Sequence, residues 1–220
     1  MQPESGAADA DREVSTLRDW RSIQLSANDS ITVATKNFEK FHELKVLWGD
    51  FKPGLVVAGT SYPVVQEHGD SYEANAILKA ATLAELCDGP ALADDSGIEV
   101  EALGWGPGIL SARTPWPQAR DEQRNAHILE AVSPGNRAAR FVCVCALVVP
   151  GFQPVLGRGE VAGEIAERPM GSSGFGYDPI FFYPPYGATF GQVEEARKHA
   201  VSHRGGAVRA LLSQLAALVK

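Results

Sequence analysis

Residues 31–47 read Ile31-Thr32-Val33-Ala34-Thr35-Lys36-Asn37-Phe38-Glu39-Lys40-Phe41-His42-Glu43-Leu44-Lys45-Val46-Leu47. The first four are β-prone and the next three are polar. Phe38, Phe41, Leu44 and Val46 then recur at helical spacing. The segment is therefore strand, turn and helix. That order aims backbone N–H groups and a helix dipole at whatever lies over the turn, and an anion is favoured there. Neither GxxxxGK[ST] nor GxGxxG occurs in it, which excludes a P-loop and a dinucleotide fingerprint.

Working outward, Leu55–Ala58 reads as a second strand and Gly59–Asp70 as a polar loop. Ser71–Leu86 is expected to be a helix capped by Ser71, with Ile77, Ala80, Ala81 and Ala84 as its apolar stripe. Asn75 and Lys79, four apart, share another face. Ala91-Leu92-Ala93 reads as a short strand entering a turn at Asp94-Asp95-Ser96-Gly97, with Ile98–Leu103 extended beyond it. Gly104–Pro117 is a Gly, Pro and Trp-rich loop, and Ala119–Val132 a helix. Ala139–Val149 and Val155–Ile165 are partner strands. Gly171–Pro179 is a second glycine-rich loop before the aromatic strand Ile180–Tyr183, and Ser202–Val219 closes the chain as a helix. Strands alternating with helices predict an α/β protein.

With 220 residues, 45% of them hydrophobic, the chain has material for one large domain or two small lobes and a core without staples. Lys+Arg is 20 against Asp+Glu 27, a net charge of -7. That sign argues against a nucleic-acid coat, which needs a basic face, but leaves room for a small anion held by local cations. Three cysteines make a poor disulfide framework and fit a reducing, cytoplasmic setting. No apolar run is long enough to span a bilayer, and the N-terminus lacks the basic and apolar regions of a secretory signal. Residues 1–29 read as a polar extension, expected to be mobile, ahead of one domain over residues 30–220.

Polar candidates for chemistry fall at several places. Two carboxylates at a buried strand end, Asp94 and Asp95, need an offset. A hard cation would supply it, and one of them could serve as a base toward water. Taken alone, the pair reads sooner as an Asx-type turn closed by Ser and Gly. Glu67 and Glu73 flank the helix carrying Lys79 and could complete a metal site, although exposed acids are commonly just solvated. Phe175-Gly176-Tyr177-Asp178 puts an aromatic at a glycine-rich tip, where it can stack on a base or return to the core. Lys198, His203 and Arg204 place cationic groups around a helix start, where they oppose the dipole unless an anion or acceptor is near.

In order along the chain, these blocks resemble the inosine triphosphate pyrophosphatase family. Thr35-Lys36-Asn37-Phe38-Glu39-Lys40 is similar to its T-x-N-x-x-K turn, and Asn75-Ala76-Ile77-Leu78-Lys79-Ala80 to its N-A-x-x-K-A helix. Ala93–Val100 is similar to its signature strand and turn. Pro107–Arg113 fits P-G-x-x-S-A-R, Gly174–Phe181 fits G-F-G-Y-D-P-x-F, and Lys198 with Ser202-His203-Arg204 fits the closing K and S-H-R. The resemblance covers Ile31 to the C-terminus.

The resemblance implies a long mixed β-sheet flanked by helices, with a central cleft between two lobes. It implies hydrolysis of inosine, deoxyinosine and xanthosine triphosphates to monophosphate and pyrophosphate, with Mg²⁺, in a homodimer. Asp95 would be the general base and, with Glu67 and Asp94, a metal ligand. Thr35, Lys36, Asn37, Phe38, Glu39, Lys40, Lys79, Ser96 and Arg113 would contact substrate. Phe175, Gly176, Tyr177, Asp178, Lys198, His203 and Arg204 would receive the base and position the nucleotide. Small-molecule nucleotides are then the partners, with no nucleic acid and no membrane. Departures from the family pattern are Lys36, where a small residue is common, Ala74 in place of an acid, Arg197 in place of a glutamate, and Gln66 competing with Glu67 for the metal-loop position. Two other readings are a nucleotide-binding regulator without turnover and a Maf-like pyrimidine nucleotide pyrophosphatase.

Overall fold

The computed structural model describes residues 17–23, 29–59, 62–132 and 135–218. Strand β1 (Ser30–Val33) leads through the polar turn into helix α1 (Phe38–Trp48), then β2 (Gly54–Val57). Helix α2 (Tyr72–Cys87) follows, capped as expected by Ser71, whose Oγ accepts from Ala74 N at 3.2 Å. The chain continues through β3 (Ala91–Val100), β4 (Gly106–Pro107), α3 (Asp121–Ala131), β5 (Ala138–Val148) and β6 (Val155–Ile165). It ends with β7 (Phe181–Tyr183), β8 (Ala188–Thr189), α4 (Glu195–Val201) and α5 (His203–Leu218).

The strands form one mixed sheet in the order β2-β1-β3-β5-β6-β7-β8, with β4 also on β3. β1 is parallel to β2 and β3, and the remaining pairings are antiparallel. The expected α/β class with a long mixed sheet flanked by helices is what the chain adopts. One core lies between one face of the sheet and helices α1 and α5, around Leu44, Leu92, Cys143, Cys145 and Leu211. A second lies under α2, around Ala76, Ala80, Ala93, Val142 and Val144. A third, rich in aromatics, gathers Phe141, Phe181 and Phe190 at the far end.

The sequence reading breaks the chain at Asp94-Asp95-Ser96-Gly97, but the structure does not. β3 runs unbroken from Ala91 to Val100, paired to β5 at every residue, Asp94 opposite Cys145 and Asp95 opposite Val144. The turn chemistry of Asp, Ser and Gly loses to this ladder, and cations from both sides offset the carboxylates. Alternation along the strand then sends Asp94 and Asp95 to opposite faces of the sheet. On its other edge β3 meets β1 only at Ala91 and Leu92, and β4 only at Glu99 and Val100. Between them, residues 93–98 have a strand neighbour on one side alone, and the sheet is open there.

Two further differences concern the chain ends. The expected terminal helix is present as α5, but a short unpredicted helix, α4, precedes it, separated because Ser202 adopts an extended conformation (φ -66°, ψ 154°) and its Oγ accepts from Gly205 N at 3.1 Å. Lys198 thus stands on α4, while His203 and Arg204 begin α5. α5 lies directly on the β6 backbone. A Cβ on Gly159 would stand 2.1 Å from His203 O, so only glycine admits this approach.

The extension, expected to be mobile, is docked over residues 17–23. Trp20 is 6% exposed, its ring lies 5.2 Å from Phe152, and its Nε1 donates to Gln153 O at 3.0 Å. Arg18 N donates to Gly151 O at 2.8 Å. A tryptophan outweighs the polar residues around it because burying one ring removes so much apolar surface from water. Residues 1–16 and 24–28 of the extension, Val14 among them, lie outside the described residues. Trp20→Ala is expected to lower the unfolding free energy by about 3 kcal/mol and to leave kcat/KM within about twofold. Denaturant unfolding beside steady-state kinetics checks both.

Candidate active site

The opening of the sheet beside β3 gathers residues from α1, α2, α4, α5 and three loops. The turn before α1 is built by its own side chains. Thr35 Oγ1 accepts from Asn37 N at 3.1 Å, and Asn37 Oδ1 caps the helix by accepting from Lys40 N at 3.0 Å. Lys36 and Phe38 are exposed, Phe38 at 78%. Glu39 lies at the cleft mouth beside Phe175. Burial, then the carboxylates of Asp121, Glu43 and Asp178, raise its pKa.

On the α1 and α5 face of β3 the charges form a chain. Lys40 Nζ is 3.1 Å from Asp94 Oδ2, and Arg204 Nη2 is 3.2 Å from the same oxygen. Ser96 Oγ accepts from Arg204 Nη2 at 3.0 Å. Arg204 Nη1 also bonds Glu43, which reaches Lys198 Nζ at 2.8 Å, and Lys198 bonds Asp178 at 2.5 Å. Three carboxylates thus alternate with three cations in a nearly dry space. Burial alone would raise Asp94 and Glu43. Lys40 and Arg204 instead hold Asp94 well below the usual carboxylate range, and Arg204, His199 and Lys198 do the same to Glu43. Burial outweighs Lys198 at Asp178, whose pKa is raised.

On the α2 face a smaller cluster forms. Lys79 Nζ lies 2.9 Å from Asp95 Oδ1 and 2.7 Å from Glu67 Oε1. Asn75 Nδ2 donates to Asp95 Oδ2 at 3.3 Å, and Arg113 pairs with the other oxygen of Glu67. Asn75 and Lys79, four apart on α2, reach the same carboxylate as their spacing predicts. Burial lowers the Lys79 pKa, but Asp95, Asp94 and Glu67 more than reverse this and push it up to about 12. Burial raises Asp95 despite Lys79.

The structure therefore brings Glu67 and Asp95 together and sets Asp94 apart. Glu73 turns out to Arg158 at 2.7 Å, away from the cluster. Arg197 stacks on Tyr186 at 4.1 Å, also outside it. At the other end of the cleft the Phe175 ring lies 5.3 Å from Lys198 Nζ and 5.6 Å from the Arg204 guanidinium. Gly176, Tyr177 and His203 line the same cavity, and His203 stacks on Phe141 at 4.5 Å. Sequence reasoning missed Glu43, the buried joint between Lys198 and Arg204. The available signal was its spacing, three residues after Lys40 and beside Leu44, which turns an acid toward the core. It also missed Asp121, Arg124 and Asn125 of α3.

Glu67 and Asp95, which converge on Lys79 Nζ, are the two carboxylates here with the chemistry to hold a divalent metal ion. Among the described residues no cluster of three or more such ligands occurs. The donor set fits Mg²⁺, which takes one or two carboxylates and completes its shell with water and substrate phosphates.

Residues 31–214 match the model of the Ham1 family. The dITP/XTP pyrophosphatase of Nocardia farcinica is 42% identical over 196 residues, 86% of this chain and 95% of that protein. A HAM1 protein from Coxiella burnetii superimposes with a TM-score of 0.77 at 36% identity, covering 86% of this chain and 98% of that one. A nucleoside-triphosphatase / dITP/XTP pyrophosphatase from Mycobacterium abscessus does so with a TM-score of 0.66 at 39% identity, covering 85% and 99%.

Burial, then Arg204, push the His203 imidazole well below its ordinary 6.5. The unfolded chain takes a proton there near pH 6.5 and the native site does not, so native stability falls as pH drops through that value. The His203 ring resonances are expected to show no titration midpoint near the ordinary imidazole value. An NMR titration checks this, and a midpoint near 6.5 would contradict it.

Proposed function

The chain belongs to the Ham1 family, and we propose that its cleft splits the triphosphates of inosine, deoxyinosine and xanthosine between the α- and β-phosphates. It is a nucleoside triphosphate pyrophosphatase. The products are the monophosphate and pyrophosphate. One observation carries the assignment of roles. At the open edge of β3, Glu67 and Asp95 converge on Lys79 on one face, and on the other face an aromatic ring lies over two donors in a cavity that Lys40 and Ser96 also line.

Phosphoryl transfer needs in-line positioning and charge neutralisation more than covalent help. The turn of Thr35, Asn37 and Lys40, with Lys79, Ser96 and Arg113, holds the triphosphate. Lys36 adds a cation at the rim. Asp95, its pKa raised by burial, receives the proton of the attacking water, and Asn75 and Lys79 fix its two oxygens. Glu67 and Asp95 are the residues to hold Mg²⁺, which when bound neutralises phosphate charge. Asp94 serves from the opposite face, tethering Lys40 and Arg204.

Base choice follows from donors. An ammonium has three N–H donors and a guanidinium five. Lys198 uses two on Glu43 and Asp178. Arg204 uses four on Asp94, Glu43 and Ser96. Each keeps one for a ligand. A 6-oxo purine offers an acceptor to such donors, whereas a 6-amino group leaves one unpaired at a cost of roughly 1–3 kcal/mol. Phe175 stacks on the ring.

A homodimer is supported by exposed Trp105, Leu110 and Trp116, clustered within residues 104–117. A cytoplasmic location is supported by three free cysteines. Among the described residues no helix is long and apolar enough to cross a membrane.

The test is product analysis with Mg²⁺ across inosine, xanthosine, adenosine, guanosine and thymidine triphosphates. Monophosphate and pyrophosphate should form fastest from inosine or xanthosine. Asp95→Asn should lower kcat by at least about 10³-fold while the nucleotide still binds. Preference for thymidine triphosphate, or tight binding without turnover by the unaltered protein, would overturn the reading.

A further inference from the structure

The loop that carries Phe175 takes its path through glycines. Gly171, Gly174 and Gly176 have φ of +80°, +71° and +63°, conformations that glycine adopts freely and can leave as freely. A stacking ring on such a loop must have its place fixed by something else, because immobilising it at binding would cost entropy each time.

Helix α3 supplies that fixing. Gly176, the residue after the aromatic, has both halves of its backbone held by α3 side chains. Its N–H donates to Asp121 Oδ2 at 2.7 Å, and its carbonyl accepts from Asn125 Nδ2 at 3.1 Å. Asp121 and Asn125 are four apart and therefore neighbours on one helical face. Asn125 is 4% exposed, and its Oδ1 has no partner among the described residues. A buried amide with one half idle is costly, so the Nδ2 bond is what the residue is there to make. Arg124 ties the clamp to the neighbouring loop, reaching Asp121 Oδ1 and Ala112 O at 2.8 Å each. Tyr177 OH donates to Ser111 O, also at 2.8 Å. From the floor of the cleft Asp178 Oδ2 accepts from Phe175 N at 2.9 Å.

We propose that Asp121 and Asn125 are positioning residues, which clamp the Gly176 peptide and so hold the Phe175 ring in register over Lys198 and Arg204. The inference rests on the reading of Phe175 as the base-stacking ring. Asp121 and Asn125 act through the ring and touch none of the reacting atoms. Their loss weakens nucleotide binding and leaves the chemical step alone. Selection of the 6-oxo purine stays with Lys198 and Arg204 and is unaffected.

The experiment is a double-mutant cycle in the full-length enzyme, with kcat and KM measured separately for inosine and adenosine triphosphates. Asn125→Ala and Asp121→Ala should each raise KM for inosine triphosphate about tenfold. Their kcat should remain within about twofold, and the ratio of the two substrates should not change. Asp121→Asn, which keeps an acceptor for Gly176 N, should restore most of the affinity. Combined with Phe175→Ala, neither alanine variant should weaken binding further. Additive losses in the double variants would overturn the clamp, as would an unchanged KM in both alanine variants beside a raised KM in Phe175→Ala. An unchanged KM in Phe175→Ala would overturn the stacking reading and the clamp with it. Thermal melts accompany each variant. If Asn125→Ala does not fold, the Asp121 pair of variants decides the outcome by the same criteria.

Discussion

A carboxylate cannot sit in a dry sheet without a cation against it, and β3 carries two in succession. Alternation of side chains along a strand puts one on each face. Each face must then supply its own positive partners, and the elements that bring them are those that build the cleft. Lys40 arrives on α1 and Arg204 on α5 for Asp94, while Lys79 arrives on α2 for Asp95. Three helices from distant parts of the chain are thus tied to adjacent residues of one strand. The site follows from satisfying the strand.

The same constraint explains why the cleft opens where it does. β1 stops pairing at Leu92 and β4 resumes at Glu99. Were a strand to fill residues 93–98, the carboxylates would be enclosed with no route for a polyanion. Left open, the edge exposes both faces at their boundary. A substrate lying across it meets the Lys79 side and the Arg204 side at once, so a strand that separates two carboxylates also lets them act on two parts of one ligand. In the proposed function the Glu67 and Asp95 cluster faces the phosphates, and the Glu43, Lys198 and Asp178 chain faces the base. Asp94 and Lys40 stand between the two.

Much of this was legible in the residues. The opening strand, turn and helix, the Ser71 cap and the shared face of Asn75 and Lys79 follow from local rules, and local rules decided them. The Asp94–Gly97 segment was misread because Asp, Ser and Gly are turn formers by local preference, while a complete ladder with β5 is a tertiary fact. Glu43 escaped notice for a related reason. An acid on an amphipathic helix reads as solvated, and only the meeting of α1 with α4 and α5 shows that Lys198 and Arg204 enclose it. The docking of Trp20 could not be read among its polar neighbours, since its partner Phe152 is more than a hundred residues away. What a sequence hides is long-range pairing of charge, because spacing along one element cannot reveal it.

That limit bears on the order in which the site is made rigid. In the charge chain from Lys40 to Asp178 each cation is held by at least one carboxylate before any ligand arrives. Water cannot easily replace those contacts in so small a space. The donors left on Lys198 and Arg204 are therefore fixed in direction, and fixed donors discriminate where mobile ones adapt. Phe175 is different. Its loop owes its shape to glycines and to bonds reaching it from outside, so its precision is borrowed from α3 and Asp178. On the proposed reading, such a pocket takes the polar edge of a base on a stiff floor and covers its face with a ring held in place from α3. Such a division tolerates several purines with the same edge while refusing one with a different edge, which is the selectivity that removal of a class of altered nucleotides requires.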